Sequence, residues 1–181
     1  IHVRSSFTSK TGTMVVKEEK KLEKEVVTGI SASDYEANIS LEGIPDKPGI
    51  AGNIFSLLSR ANINVDMIVQ NISLDNKTTD LTFTVTRNQL IQAISVLENN
   101  KDKLGYKNII SNDKVVKVSV VGVGMRSHPG VAQKMFSTLG DKGINIYVIS
   151  TSEIKVSVLI DEEYTELAVR SLHTVYGLDE S

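Results

Sequence analysis

The chain contains no cysteine. Disulfides, thiol nucleophiles and cysteine-ligated zinc are excluded with it. Aromatic residues are scarce at 5%. The central strands inferred below offer only Phe83 and Tyr147, too few to make a base-stacking RNA platform. Neither sign of charge dominates, since the formal net charge is -2, and no electrostatic footprint for nucleic acid or an anionic membrane stands out. No apolar run approaches the roughly 18 residues of a membrane span, and the start is not that of a signal peptide. The expectation is a cytoplasmic protein with no nucleic-acid and no membrane partner.

Catalytic patterns are missing as well. His2, His128 and His173 are scattered, without an H-x-x-x-H pair or an acidic cluster at ligand spacing, so neither metal site nor catalytic residue is assigned. There is no G-x-x-x-x-G-K-[ST] phosphate loop and no G-x-S-x-G elbow. VGVGMRSHPG (121–130) lies between a strand and a helix, but Ser127 stands where a dinucleotide fingerprint needs its third glycine. No cofactor is expected in this chain.

What the sequence does contain is a repeat. At 181 residues and 40% hydrophobic content, two small domains fit better than one large one. DKPGIAGNIFSLLSRANINVDM (46–67) returns 81 residues later as SHPGVAQKMFSTLGDKGINIYV. The constant offset pairs Gly43 with Gly124, Pro48 with Pro129, Gly49 with Gly130, Ala51 with Ala132 and Phe55 with Phe136. It also pairs Ser56 with Ser137, Leu58 with Leu139, Ile63 with Ile144, Asn64 with Asn145 and Ile68 with Ile149. Ten identities over 26 ungapped positions mark an internal duplication.

In the first copy, 36–44 alternates apolar and polar residues as a half-buried strand does. Pro48-Gly49 makes a turn, and Ile50, Ile54, Leu57, Leu58 and Ala61 fall at helical spacing. Strands follow at 64–72 and 79–86, a second helix at 88–100 and a last strand at 107–114. The order βαββαβ is that of a ferredoxin-like α+β sandwich.

The second copy repeats strand, helix (130–142), two strands and helix (162–175), and then lacks its fourth strand. The one uncommitted strand-like segment is EVVTGISA (25–32). It crosses back to complete the second sheet, which makes the first copy an insertion within the second, or it pairs with a partner chain. The domains are then 36–114, and 25–35 joined with 115–178. The charged run VKEEKKLEKE (16–25) reads as a linker or simply a solvated charged face. The first residue is Ile1, and IHVRSSF looks like the interior of a longer polypeptide.

The repeated loops attract attention because a strand that turns directly into a helix leaves backbone N–H groups unpaired at the positive end of the helix dipole. Such a place seats a carboxylate. Asp46 stands at the mouth of the first seat and could accept from an ammonium, so one loop could hold both ends of an amino acid. The plainer reading is that Asp46 caps the turn and Pro48-Gly49 shapes it. On the next strand the two-residue period puts Asn64, Asp66, Ile68 and Gln70 on one side, as a pocket wall or a solvated face.

GIPDKPGIAGNIFSLLSRANINVDMIVQN, TTDLTF, VGVGMRSHPGVAQKMFSTL and INIYVISTSEIKVSVLI together resemble the tandem ACT regulatory region of bacterial aspartokinases, over about residues 25–178. VRSSF and GTMV (12–15) resemble the join to that family's catalytic domain, which makes residues 1–24 a linker. The resemblance implies a non-catalytic region that senses lysine, threonine or both, dimerises through its ACT domains, and acts on an aspartate kinase domain that alone uses ATP and Mg. It implies a first seat of Asp46, Gly49, Ile50 and Ala51 with Gln70, facing Asn145 and Ile146. It implies a second of Ser127, His128, Gly130 and Val131 opposite Asn64 and Val65, with Asp66 and Ser152 among the binding residues. Ser127 in place of Asp46 would hold an ammonium less strongly. The alternative is an amino-acid sensor or dimerisation module of another enzyme or regulator.

Overall fold

The computed structural model describes residues 2–3, 13–14, 26–72, 77–122, 128 and 130–180. Most of the expected linker, the turn residues Asp75 and Asn76, and Ser127 and Pro129 of the second loop lie outside these. A short antiparallel pair, β1 (His2–Val3) and β2 (Thr13–Met14), precedes the main body. The first unit comprises β4 (Glu36–Pro45), α1 (Ile50–Arg60), β5 (Val65–Ile72), β6 (Thr78–Thr86), α2 (Leu90–Glu98), α3 (Lys101–Leu104) and β7 (Asn108–Asn112). The second comprises β3 (Gly29–Ser33), β8 (Val115–Val121), α4 (Gly130–Asp141), β9 (Val148–Thr151), β10 (Lys155–Asp161) and α5 (Thr165–Tyr176).

The duplication is visible atom by atom in the first helix of each unit. Ile50, Ile54 and Leu58 form the buried stripe of α1, and Val131, Met135 and Leu139 that of α4. Both stripes follow the i, i+4, i+8 spacing that keeps a helix on its sheet. Both helices end alike: Ile63 N–H donates to Leu58 O at 3.0 Å, and Ile144 N–H to Leu139 O at 3.0 Å. This closure needs a left-handed residue just before the donor. Asn62 takes it at φ 58° and Gly143 at φ 70°.

The sheet orders are β5-β6-β4-β7 and β3-β8-β10-β9, all neighbours antiparallel. β3 beside β8 takes the place that β7 takes beside β4. The strand missing from the second copy is therefore supplied by the segment before the first, and the first unit is inserted within the second. Gly122 permits the crossing, because a Cβ there would stand 1.8 Å from the carbonyl oxygen of Val26.

Each sheet carries its helices on one face only. Ile39, Leu41, Leu81 and Phe83 face the first helical layer, and Val118, Val120, Val158 and Ile160 the second. Fully burying one such side chain contributes about 1.5–3 kcal/mol. The opposite, helix-free faces meet each other through Met67, Val115, Val148 and Leu159, with Val69 beside them.

Three local features depart from the sequence reading. The helix expected at 88–100 is a 3₁₀ turn at Arg87–Gln89 followed by α2, and that expected at 162–175 opens with a 3₁₀ turn at Glu162–Tyr164. The strand expected over INIYVIST begins only at Val148. Third, β5 slips register against β6 between Val65 and Ile68, where three steps on one strand oppose two on the other. The bulge breaks the two-residue period. Ile68 and Gln70 lie opposite Phe83 and Leu81 on the helix side, while Asp66 reaches Lys117 in the second sheet. The four residues do not share one face.

Candidate functional site

The first loop leaves β4 at Pro45 and enters α1 at Ile50. Asp46 N–H donates to Lys77 O at 2.9 Å, and Ile50 N–H closes the turn onto Lys47 O at 3.3 Å. Gly49 is the N-cap, at φ 88°, a conformation that strains any residue with a Cβ. The helix has no side-chain cap, so Asp46 is not the capping residue of the plainer reading. Its carboxylate is exposed and has no hydrogen-bond or ion-pair partner among the described residues. The N–H groups of Ala51 and Gly52 also have no partner among the described residues, the first of the helix's ladder being Asn53 N–H on Gly49 O at 3.0 Å. An unpaired anion thus stands beside an open, electropositive helix end.

In the second loop His128 O accepts Val131 N–H at 3.1 Å, the counterpart of the Lys47–Ile50 turn at the same offset. Here α4 begins at Gly130 itself. Val131 is further held by Tyr176, whose hydroxyl donates to its carbonyl at 2.7 Å. Burial of Tyr176 raises its phenol pKa to about 12. The sequence reading missed this clasp, since Tyr176 lies in the last turn of a different helix, 45 residues on.

The opposing residues are placed as follows. Asn145 is exposed and Ile146 half-buried, both just before β9, and their N–H groups have no partner among the described residues. Asn64 is exposed, and its N–H meets Gln89 Oε1 at 3.4 Å, while Gln89 Nε2 holds Asn62 O at 2.9 Å. Val65 is half-buried against the first core. Gln70 is exposed. Ser152 Oγ accepts from Lys155 N–H at 3.2 Å and Ile154 N–H at 3.4 Å; it closes the β9–β10 turn.

Within one chain, no hydrogen bond or ion pair among the described residues joins 46–51 to 145–146, or Gly130 and Val131 to 64–65. The units touch elsewhere, β4 against β8 and β5 against β9. Among the described residues no group of three His, Asp or Glu is placed to hold a metal, and no helix is long and apolar enough to cross a membrane.

The ACT domain family matches residues 38–100 and 118–176. An aspartate kinase of Pseudomonas putida is 51% identical over 180 residues, covering 99% of this chain and 44% of the relative. The chain thus spans less than half the length of the curated relatives it matches. A solved structure of aspartokinase alpha and beta subunits matches at 52% identity and a TM-score of 0.78, covering 83% of this chain and 99% of that one. The ligand-free regulatory subunit of aspartate kinase from Thermus thermophilus matches at 39% identity and the same TM-score, with 83% and 98% coverage. The chain belongs to the ACT-domain family and, within it, to the tandem ACT regulatory region of the aspartokinases.

Proposed function

We propose that this region senses an end-product amino acid, lysine, threonine or both, and restrains an aspartate kinase domain attached to it or associated with it. The carrying observation is the unpaired Asp46 carboxylate beside the open start of α1. A free amino acid presents a carboxylate and an ammonium on one carbon. Ala51 and Gly52 N–H suit the first, and Asp46 suits the second. The side chain then points toward whatever closes the seat, with Gln70 within its reach.

The closing surface is a second copy, presenting Asn145 and Ile146. Their free N–H groups support this, as does the exposure of Ile68 and Ile149, repeat counterparts on edge strands that are 50% and 45% exposed. The region acts by linkage: an effector that favours one arrangement of the ACT units shifts the population toward it by its differential affinity. ATP and Mg belong to the kinase domain. Ser127 in place of the acid makes the second loop the weaker seat.

Calorimetric titration of the chain with lysine, threonine and their mixture tests the reading. Heat with at least one of the two, together with a dimer in solution, is the expected result. Silence with every amino acid would leave a dimerisation module.

A further inference from the structure

The β5 bulge has consequences that the effector seat does not use. It turns out of the ladder two residues directly after Asn64 and Val65. Met67 N–H, no longer paired across the strand, is caught by the fully buried hydroxyl of Thr84 at 3.1 Å. The Met67 side chain enters the small apolar cluster between the sheets, against Val115, Val148 and Leu159. Asp66 binds the ammonium of Lys117 on β8. Lys117 also donates to Glu36 Oε1, at the start of β4, at 2.6 Å.

β5 and β4 are not neighbours, because β6 lies between them. Lys117 therefore spans the helix-free face of the first sheet and ties two of its strands to β8, one of the two central strands of the second. The Lys117–Glu36 arm is largely dry, its side chains 15% and 10% exposed, while Asp66 approaches from the rim, its side chain 53% exposed. A charge held in such a place is costly to leave unpaired. The arrangement therefore favours one relative position of the sheets over a graded set.

We infer that Lys117 is a positioning residue which, through the Asp66–Met67 bulge, couples the backbone at Asn64–Val65 to the second unit's sheet. The inference rests on the effector reading for what is transmitted, but the coupling itself needs no ligand to be seen. A shift of Asn64–Val65 moves the bulge, and the bulge carries both a charged and an apolar contact to β8–β10. Strain at the seat and the orientation of the units are thereby one variable.

Hydrogen exchange on the intact chain tests this, comparing wild type with Asp66→Asn, Lys117→Met and Lys117→Arg. Asp66→Asn keeps the shape and leaves Lys117 on Glu36, so it remains folded even where Lys117→Met does not. In Asp66→Asn without ligand, exchange should rise severalfold, up to the roughly fivefold that goes with about 1 kcal/mol. It should rise together in residues 65–69 and 115–121, with α2 and α5 unchanged; Lys117→Met should raise it in the same two segments, and Lys117→Arg should keep most of the wild-type protection. A rise confined to 65–69, or none, overturns the coupling. Lysine and threonine are then added to wild type. If neither changes exchange anywhere, the effector reading fails while the ligand-free comparison still decides the coupling.

Discussion

Arg87 and Glu162 stand at the same place in the two copies, each the first residue of the 3₁₀ turn that opens its unit's second long helix, and they form a 2.9 Å ion pair. Their backbones are anchored alike: Arg87 N–H donates to Tyr35 O at 2.6 Å and Glu162 N–H to Lys114 O at 3.1 Å, carbonyls that immediately precede the equivalent strands β4 and β8. With β4 against β8 and β5 against β9, like elements meet like across an approximate two-fold axis. At such an axis identical charged residues would repel. Opposite charges at the duplicated position turn the contact into attraction.

Arg87→Ala should destabilise the chain by about 1–2 kcal/mol, because it removes the ion pair and the bond from Arg87 Nη2 to Val115 O at 3.2 Å. The ion pair alone is exposed at both ends, 38% and 42%, and a double-mutant cycle with Glu162→Ala should yield a coupling of at most about 1 kcal/mol. Urea denaturation of the four proteins checks both figures. A coupling well above this would mean that the pair is drier in solution than here.

The helix ends predict opposite outcomes for two similar changes. Asn62→Gly should be neutral or slightly stabilising, since glycine adopts φ 58° without strain. Gly143→Ala should cost about 1–2 kcal/mol at φ 70° although nothing crowds the added Cβ. Thermal melts of both variants decide it.

Gly122→Ala should damage the second unit selectively. The new Cβ has no room beside Val26 O, so the crossing segment that leads into β3 must move and the β8 edge opens. Hydrogen exchange should rise along β3 and β8 while β4–β6 keep their protection. Equal loss in both units would contradict the nested arrangement.

The Tyr176 clasp carries a pH signature. Burial favours the neutral phenol and raises its pKa from 10.0 to about 12. Its contribution to stability is accordingly complete below pH about 10 and lost as pH rises through about 12. Spectrophotometric titration should show a late tyrosinate component that Tyr176→Phe removes. Persistence of that component in the variant would assign it to another tyrosine.

The repeat was legible because identical residues at a fixed offset need no structural knowledge, and the stripes Ile50–Ile54–Leu58 and Val131–Met135–Leu139 follow from helical spacing alone. The missing strand was legible by counting. The bulge was not: a two-residue period presumes an unbroken ladder, and nothing in NVDMIVQN marks where it breaks. For the same reason no role could be read for Lys117, although it pairs with Glu36 and Asp66. At the candidate site the Pro-Gly turn and its helix start were readable. That Asp46 is no cap depended on geometry, because aspartate both caps helices and binds ammonium groups. The late start of β9, which leaves the N–H groups of Asn145 and Ile146 without partners among the described residues, is likewise a feature of the fold that INIYVIST does not announce.

The central claim is that Asp46 receives an amino acid's ammonium, and paired titrations of wild type and Asp46→Asn with lysine and threonine test it most directly. Truncating one partner of a charged pair closed off from water weakens binding by about 2–5 kcal/mol. Asp46→Asn should therefore lose affinity on that scale while its melting temperature stays at the wild-type value, because the carboxylate makes no cap bond. Wild-type affinity for both amino acids in Asp46→Asn would contradict the account and leave the repeated loop as architecture.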